Sequence, residues 1–167
     1  MATLLEDIKI QSAWIVTAFG ADKLNLDYTV ESFRLIDNFF DEHSENGIAK
    51  PNGRLSQNCG PILFSIGSYV GETIIRNVPD AVWITDDNDP QGEVNVEIKL
   101  ADGTIIGPMH RVIKRFKNGP EDGIYAYGAV VIREIGPGGY WDKMKKDQLT
   151  QGLDKKDNHK KPWWKLW

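Results

Sequence analysis

Gly60-Pro61-Ile62-Leu63-Phe64-Ser65-Ile66-Gly67-Ser68-Tyr69-Val70-Gly71-Glu72-Thr73-Ile74-Ile75-Arg76-Asn77-Val78-Pro79-Asp80 is the stretch that decides the fold. Ile62, Ile66, Tyr69, Val70, Ile74 and Val78 recur at helical spacing, so one face of a helix is apolar. Pro61 suits a first turn, where its missing donor costs nothing, and Pro79-Asp80 breaks the run. Gly67 and Gly71 stand four apart and share a side, which lets another element approach closely. In a bilayer such spacing suggests helix dimerisation. Here the run is short and bordered by polar residues, so close packing inside a soluble core is the better account.

Beyond Pro79 the pattern changes to that of strands. Ala81 to Thr85 reads as a buried strand and Asp86 to Gly92 as an acidic turn. Val94, Val96, Ile98 and Leu100 then alternate with Asn95, Glu97 and Lys99, the pattern of a strand with one wet face. Ala101-Asp102-Gly103 turns the chain, and Thr104-Ile105-Ile106 returns. A long helix leading into three strands around 81–107 predicts an α+β class.

Working outward, Leu4, Leu5, Ile8, Ser12, Ile15, Val16 and Phe19 predict a first helix that stops at Gly20. Thr29 is suited to cap a second, with Val30, Phe33, Ile36, Phe39 and Phe40 as its stripe. That helix ends near Ser44 to Gly47, and a polar loop with Pro51-Asn52-Gly53 comes next. On the other side, Pro108 opens a helix striped by Met109, Val112, Ile113 and Phe116 and stopped by Asn118-Gly119. Pro120-Glu121-Asp122 starts the next, continued by Ile124, Tyr127, Gly128, Val131 and Ile135; Tyr125 to Ile132 is also compatible with a strand. The expected architecture is an N-terminal helical layer on a small antiparallel sheet, with C-terminal helices completing the core. Residues 1–140 are expected to form one globular domain, and 141–167 a flexible basic tail ending in a Trp-rich motif.

The chain has 167 residues, 41% of them apolar and 26% charged, ordinary values for one globular domain. The lone Cys59 excludes an internal disulfide. No segment reaches the roughly 18 apolar residues of a bilayer span, and the start carries acid where a signal peptide carries positive charge. A cytoplasmic location is expected. The net charge of −4 is divided: residues 143–167 hold eight lysines and three aspartates, +5, which leaves −4 − 5 = −9 on residues 1–142. An acidic body suits a cationic protein partner and repels nucleic acid. The tail ends in Pro162-Trp163-Trp164-Lys165-Leu166-Trp167, three of six tryptophans within five residues. Trp163, Trp164 and Trp167 can cover an apolar patch of their own domain, lie at a membrane surface, or fill a partner's pockets.

Candidate sites are few. Asp86, Asp87, Asp89 and Glu93 form an acidic cluster. Compared with an EF-hand loop starting at Asp87, Asp89, Gln91 and Gly92 match, but Ile98 replaces the bidentate acid. A solvated turn, or a contact for a cationic partner, is expected rather than a metal site. His43, His110 and His159 have no ligand spacing, and no metal or other cofactor is implied. Glu72 and His110 make an acid–base pair only if their helices meet; otherwise Glu72 pairs with Arg76 one turn on. Arg111, Lys114, Arg115 and Lys117 read as a solvated basic face that partly neutralises nearby acids.

The segment Ser65 to Glu72 with its Gly-x-x-x-Gly-Glu, then Trp83, then Pro108-Met109-His110-Arg111-Val112-Ile113-Lys114-Arg115 and Asn118-Gly119, resembles a group of small bacterial domains of unknown function. The resemblance spans about residues 65–131, and some of its members look like immunity or accessory proteins of bacterial toxin systems. It implies no catalytic residues. The expected function is a non-enzymatic protein-binding module, most concretely an immunity-type inhibitor of a cationic toxin domain. The alternatives are an adaptor that docks through its tryptophan motif to a larger machine or membrane surface, and an enzyme using Glu72 and His110. Oligomeric state is left open.

Overall fold

The computed structural model describes residues 1–135, 138, 139 and 143–147. Its first half comprises α1 (Leu4–Ala21), a 3₁₀ turn (Val30–Ser32), α2 (Phe33–His43), β1 (Ser44–Glu45), β2 (Ile48–Ala49) and α3 (Cys59–Asn77). Then come β3 (Val82–Ile84), α4 (Gly92–Asn95), β4 (Glu97–Lys99), β5 (Ile105–Ile106) and α5 (Pro108–Asn118). A 3₁₀ turn (Pro120–Asp122), α6 (Ile124–Ala129) and a π-helical turn (Val130–Ile135) complete it. The fold is α+β, mainly helical, with two small antiparallel sheets ordered β1-β2 and β3-β4-β5.

α3 is the central element: every residue from Leu63 to Ile74 is buried. α1 lies along it, joined by Ser65 Oγ donating to Gln11 Oε1 (2.7 Å), and α5 packs on its other side. The glycines set how close the neighbours come. A Cβ on Gly67 would overlap Met109 Sδ of α5, and one on Gly71 would overlap the Trp83 ring of β3. Tyr69, fully buried, ties in the connector between α1 and α2. Its Oη accepts from the Tyr28 N–H (2.8 Å) and shares a hydrogen bond with Ser32 Oγ (2.6 Å). The Arg76 guanidinium stacks on the Tyr28 ring, 3.4 Å from its centroid.

Ile98 pairs with Trp83 on one side and Ile106 on the other, and these three face the core. Val82, Ile84, Lys99 and Ile105 fall on the opposite, exposed face.

Some local expectations need correction: the strand expected to be buried at 81–85 leaves Val82 and Ile84 exposed, and Thr29 makes no side-chain cap, α2 starting at Phe33. Val96, Ile98 and Leu100 share the buried side as their alternation requires, but Val94 does not belong to the strand. Asp89 accepts from the Gln91 N–H, and Gln91 O accepts from the Val94 and Asn95 N–H groups, which winds 92–95 into a helical turn. The loop after α2 contains a hairpin whose Asn46 and Gly47 adopt φ of 50° and 78°, the geometry of a two-residue primed turn. Pro120 starts only a 3₁₀ turn, and a new helix begins at Ile124. Of the two readings open for Tyr125 to Ile132 the helix is found, and Gly128 lets the chain wind against the Phe33 ring. The expected tail from 141 lies outside the described residues except for 143–147, which are helical. There Lys143 N donates to Gly139 O, and Lys145 lies 3.8 Å from the Asp102 carboxylate at the β4–β5 turn.

Candidate functional site

The acidic turn is placed against the start of α1. Asp87 Oδ1 accepts from the Leu4 N–H (2.7 Å), satisfying a first-turn donor of a helix 83 residues away in sequence. Around this contact, Asp7, Asp86, Asp87, Asp89 and Glu93 line one shallow depression of about 420 Å³. Glu6 stands beside it in the capping box with Thr3, where Thr3 Oγ1 accepts from the Glu6 N–H and Glu6 Oε2 from the Thr3 N–H.

Much of the carboxylate capacity is used locally. Asp86 Oδ1 accepts from the Asn88 N–H (2.9 Å), Asp89 Oδ1 from the Gln91 N–H (2.9 Å), and Asp89 Oδ2 from Asn95 Nδ2 (2.8 Å). The Asn95 side chain and then the Gln91 N–H hold the Asp89 pKa below its ordinary value. For Glu6 the Thr3 backbone and then its hydroxyl do the same. These two therefore keep their charge to lower pH than an ordinary carboxylate. Among the described residues, no group of three or more His, Cys, Asp or Glu side chains is disposed to hold a metal ion. The arrangement can attract and orient cationic groups.

Glu72 and His110 do not form a pair. Glu72 is buried and its Oε1 accepts from Trp83 Nε1 (2.8 Å), while His110 is exposed on the first turn of α5. Nor does Glu72 bridge Arg76, which is stacked on Tyr28. The Gly-Glu of α3 thus serves one purpose: Gly71 admits the indole ring and Glu72 takes its N–H.

The basic residues of α5 are divided between two faces. Arg111 and Arg115 are buried, at 6% and 3% exposure. Arg111 Nη1 donates to Asp122 Oδ1 (2.8 Å). Arg115 donates through Nε to Asp37 Oδ1 (3.0 Å) and through Nη2 to Asp41 Oδ1 (2.6 Å) and Asp37 O (3.0 Å). Asp37 also accepts the Ile124 and Tyr125 N–H groups (both 2.9 Å), so a carboxylate of α2 caps α6. The expected solvated basic face is therefore corrected: its two arginines hold α2, α5 and α6 together. Beside them the Tyr127 hydroxyl is buried without a hydrogen-bond partner, and burial pushes its pKa well above the ordinary value.

One surface feature is not announced by the sequence. Between α1 and α2 runs an apolar groove of about 560 Å³ lined by Trp14, Ala18, Leu24, Leu35, Phe39 and Ile62. Asp22, Glu42, His43 and Arg54 edge it, with Arg54 Nη2 donating to both Asp22 oxygens (2.6 Å). The available signal was α1 itself. Ile10 and Trp14 lie between Ile8 and Ile15 on a helix apolar on every side, and such a helix is normally buried all round. Here Ile10 is 59% and Trp14 50% exposed.

Trp163, Trp164 and Trp167 lie outside the described residues. No helix among the described residues is long and apolar enough to cross a membrane. A scan against protein-family models, a search of curated proteins and a search of solved structures find no match to this chain.

Proposed function

We propose that the chain is a non-enzymatic protein-binding module, an immunity-type protein whose acidic end captures a cationic toxin domain. The observation that carries this reading is the convergence of Asp7 with Asp86, Asp87, Asp89 and Glu93, two segments about 80 residues apart, on one depression. The burial of Arg111 and Arg115 supports it, since the cations nearest in type to a competing basic patch are paired inside the body. Carboxylates clustered on one end raise encounter rates with a basic partner and fix its orientation. The partial resemblance to toxin-system immunity proteins points the same way.

The test asks first whether a toxin-like reading frame adjoins the gene, its absence counting against the proposal, and then measures association with its product by stopped flow. Association is expected to slow at least several-fold between low and physiological salt while dissociation changes much less. Asp7→Lys with Glu93→Lys, which leave the Leu4–Asp87 contact intact, should reproduce that slowing at low salt. An association rate indifferent to both salt and these substitutions overturns the proposal.

A further inference from the structure

We infer that the groove between α1 and α2 is the docking site of the chain's own Pro162–Trp167 segment. Docking there does not depend on the acidic end, and the two proposals fail separately.

The groove is a built surface with nothing described upon it. α1 presents Trp14 outward beside the exposed Ile10, and Trp14 lines the groove together with Leu24, at 37% exposure. Its volume lies in the range of sites that enclose drug-sized ligands, suited to flat aromatic rings between Phe39, Leu35 and Trp14. Aromatic rings packed against such a lining gain offset or edge contacts beyond plain area burial. The chain carries that ligand chemistry at Trp163, Trp164 and Trp167.

Charge favours the same match. The segment comes after Lys160 and Lys161 and contains Lys165, within a stretch of +5, against a body of −9. On the groove's edge the Asp22 carboxylate is engaged by Arg54, while Glu42 is 73% exposed, with His43 Nε2 3.9 Å from its Oε2. Lysines beside the indoles would lie against Glu42 as the rings enter.

Reach is sufficient. Fifteen residues separate Asp147 from Trp163, and extended they span up to about 50 Å. A domain of this size is roughly 40 Å across. Tethering through a segment of that length gives a local concentration of about millimolar, so a motif too weak to bind in trans at micromolar concentration can still dock in cis. A second exposed apolar surface among the described residues, Val82, Ile84 and Ile105 on the three-stranded sheet, is a face crossed by Lys99 rather than a groove.

The experiment compares the full chain with its W163A/W164A/W167A variant, both ¹⁵N-labelled, by amide and indole spectra and by hydrogen exchange. The variant is expected to shift the Trp14 indole N–H signal, together with amides of 10–24 and 35–43. Exchange in those segments should be several-fold faster, and the synthetic peptide Pro162–Trp167 added in trans at about millimolar concentration should restore the shifts. The reciprocal full-length Trp14→Glu, an exposed position whose change spares the core, should make the tail tryptophans more accessible to acrylamide. Identical spectra overturn the inference, as do perturbations centred on Val82, Ile84 and Ile105. Perturbations that vanish on dilution also overturn it, because they assign the groove to a second copy.

Discussion

Asp37→Ala removes the carboxylate that links three helices, and its cost can be worked from the contacts it breaks. Asp37 receives Arg115 Nε and the backbone N–H groups of Ile124 and Tyr125. Loss of a helix cap costs about 1 kcal/mol. Removing one partner of a buried ion pair costs about 3–5 kcal/mol, because the other charge stays buried without compensation. Arg115, 3% exposed, keeps the Asp37 carbonyl and the half-exposed Asp41 carboxylate, so the lower end of that range applies. The expected total is about 3–4 kcal/mol, a large share of the stability of one domain. Arg115→Met in the Asp37→Ala background removes the stranded cation, so the double variant should be no less stable than Asp37→Ala alone. Asp41→Ala, at the edge, should cost under about 1 kcal/mol. Urea unfolding followed by circular dichroism measures all of these, provided the slopes agree. A cost below about 1 kcal/mol for Asp37→Ala refutes this account, as does simple additivity of the Asp37 and Arg115 substitutions.

Gly71→Ala should destabilise by about 1–3 kcal/mol because the new methyl meets the rigid Trp83 ring, whereas Gly67→Ala should cost less because Met109 can change rotamer. Equal melting temperatures for the two variants would refute this contrast. Trp83→Phe leaves Glu72 buried without its donor, at about 1–3 kcal/mol; unchanged urea stability would show that the carboxylate finds another partner. Acid should weaken the fold through Glu6 and Asp89, whose folded pKa values are depressed below 4.5 and 3.8. Between folded and unfolded values the unfolded chain binds more protons, so their stabilisation is present above those ordinary values and lost as pH falls through the folded ones. A Glu6→Gln, Asp89→Asn chain should therefore show a shallower fall in urea midpoint from pH 5 to pH 3, and an unaltered slope would contradict this.

Elements with a local cause were legible along the chain. Periodic apolar residues marked α1, α2, α3 and α5, and the alternation of Val96, Ile98 and Leu100 marked β4 and its neighbours, because burial on one face imposes a period. Some missed features were equally local: Thr3 with Glu6 is a capping box, and Asn46-Gly47 is a primed-turn pair. What each charge does, by contrast, was set by packing. Arg111 and Lys114 look alike along the chain, yet Arg111 is buried against Asp122 while Lys114 is only half-buried. Glu72 could have bridged Arg76 one turn away, but the indole of Trp83 came nearer. Asp87 met Leu4 across 83 residues, and Asp37 met Ile124 across 87. A charge or an exposed indole carries no period that names its partner. Its role is settled by which distant group packing brings within hydrogen-bond reach, and for Trp14 by what packing leaves uncovered.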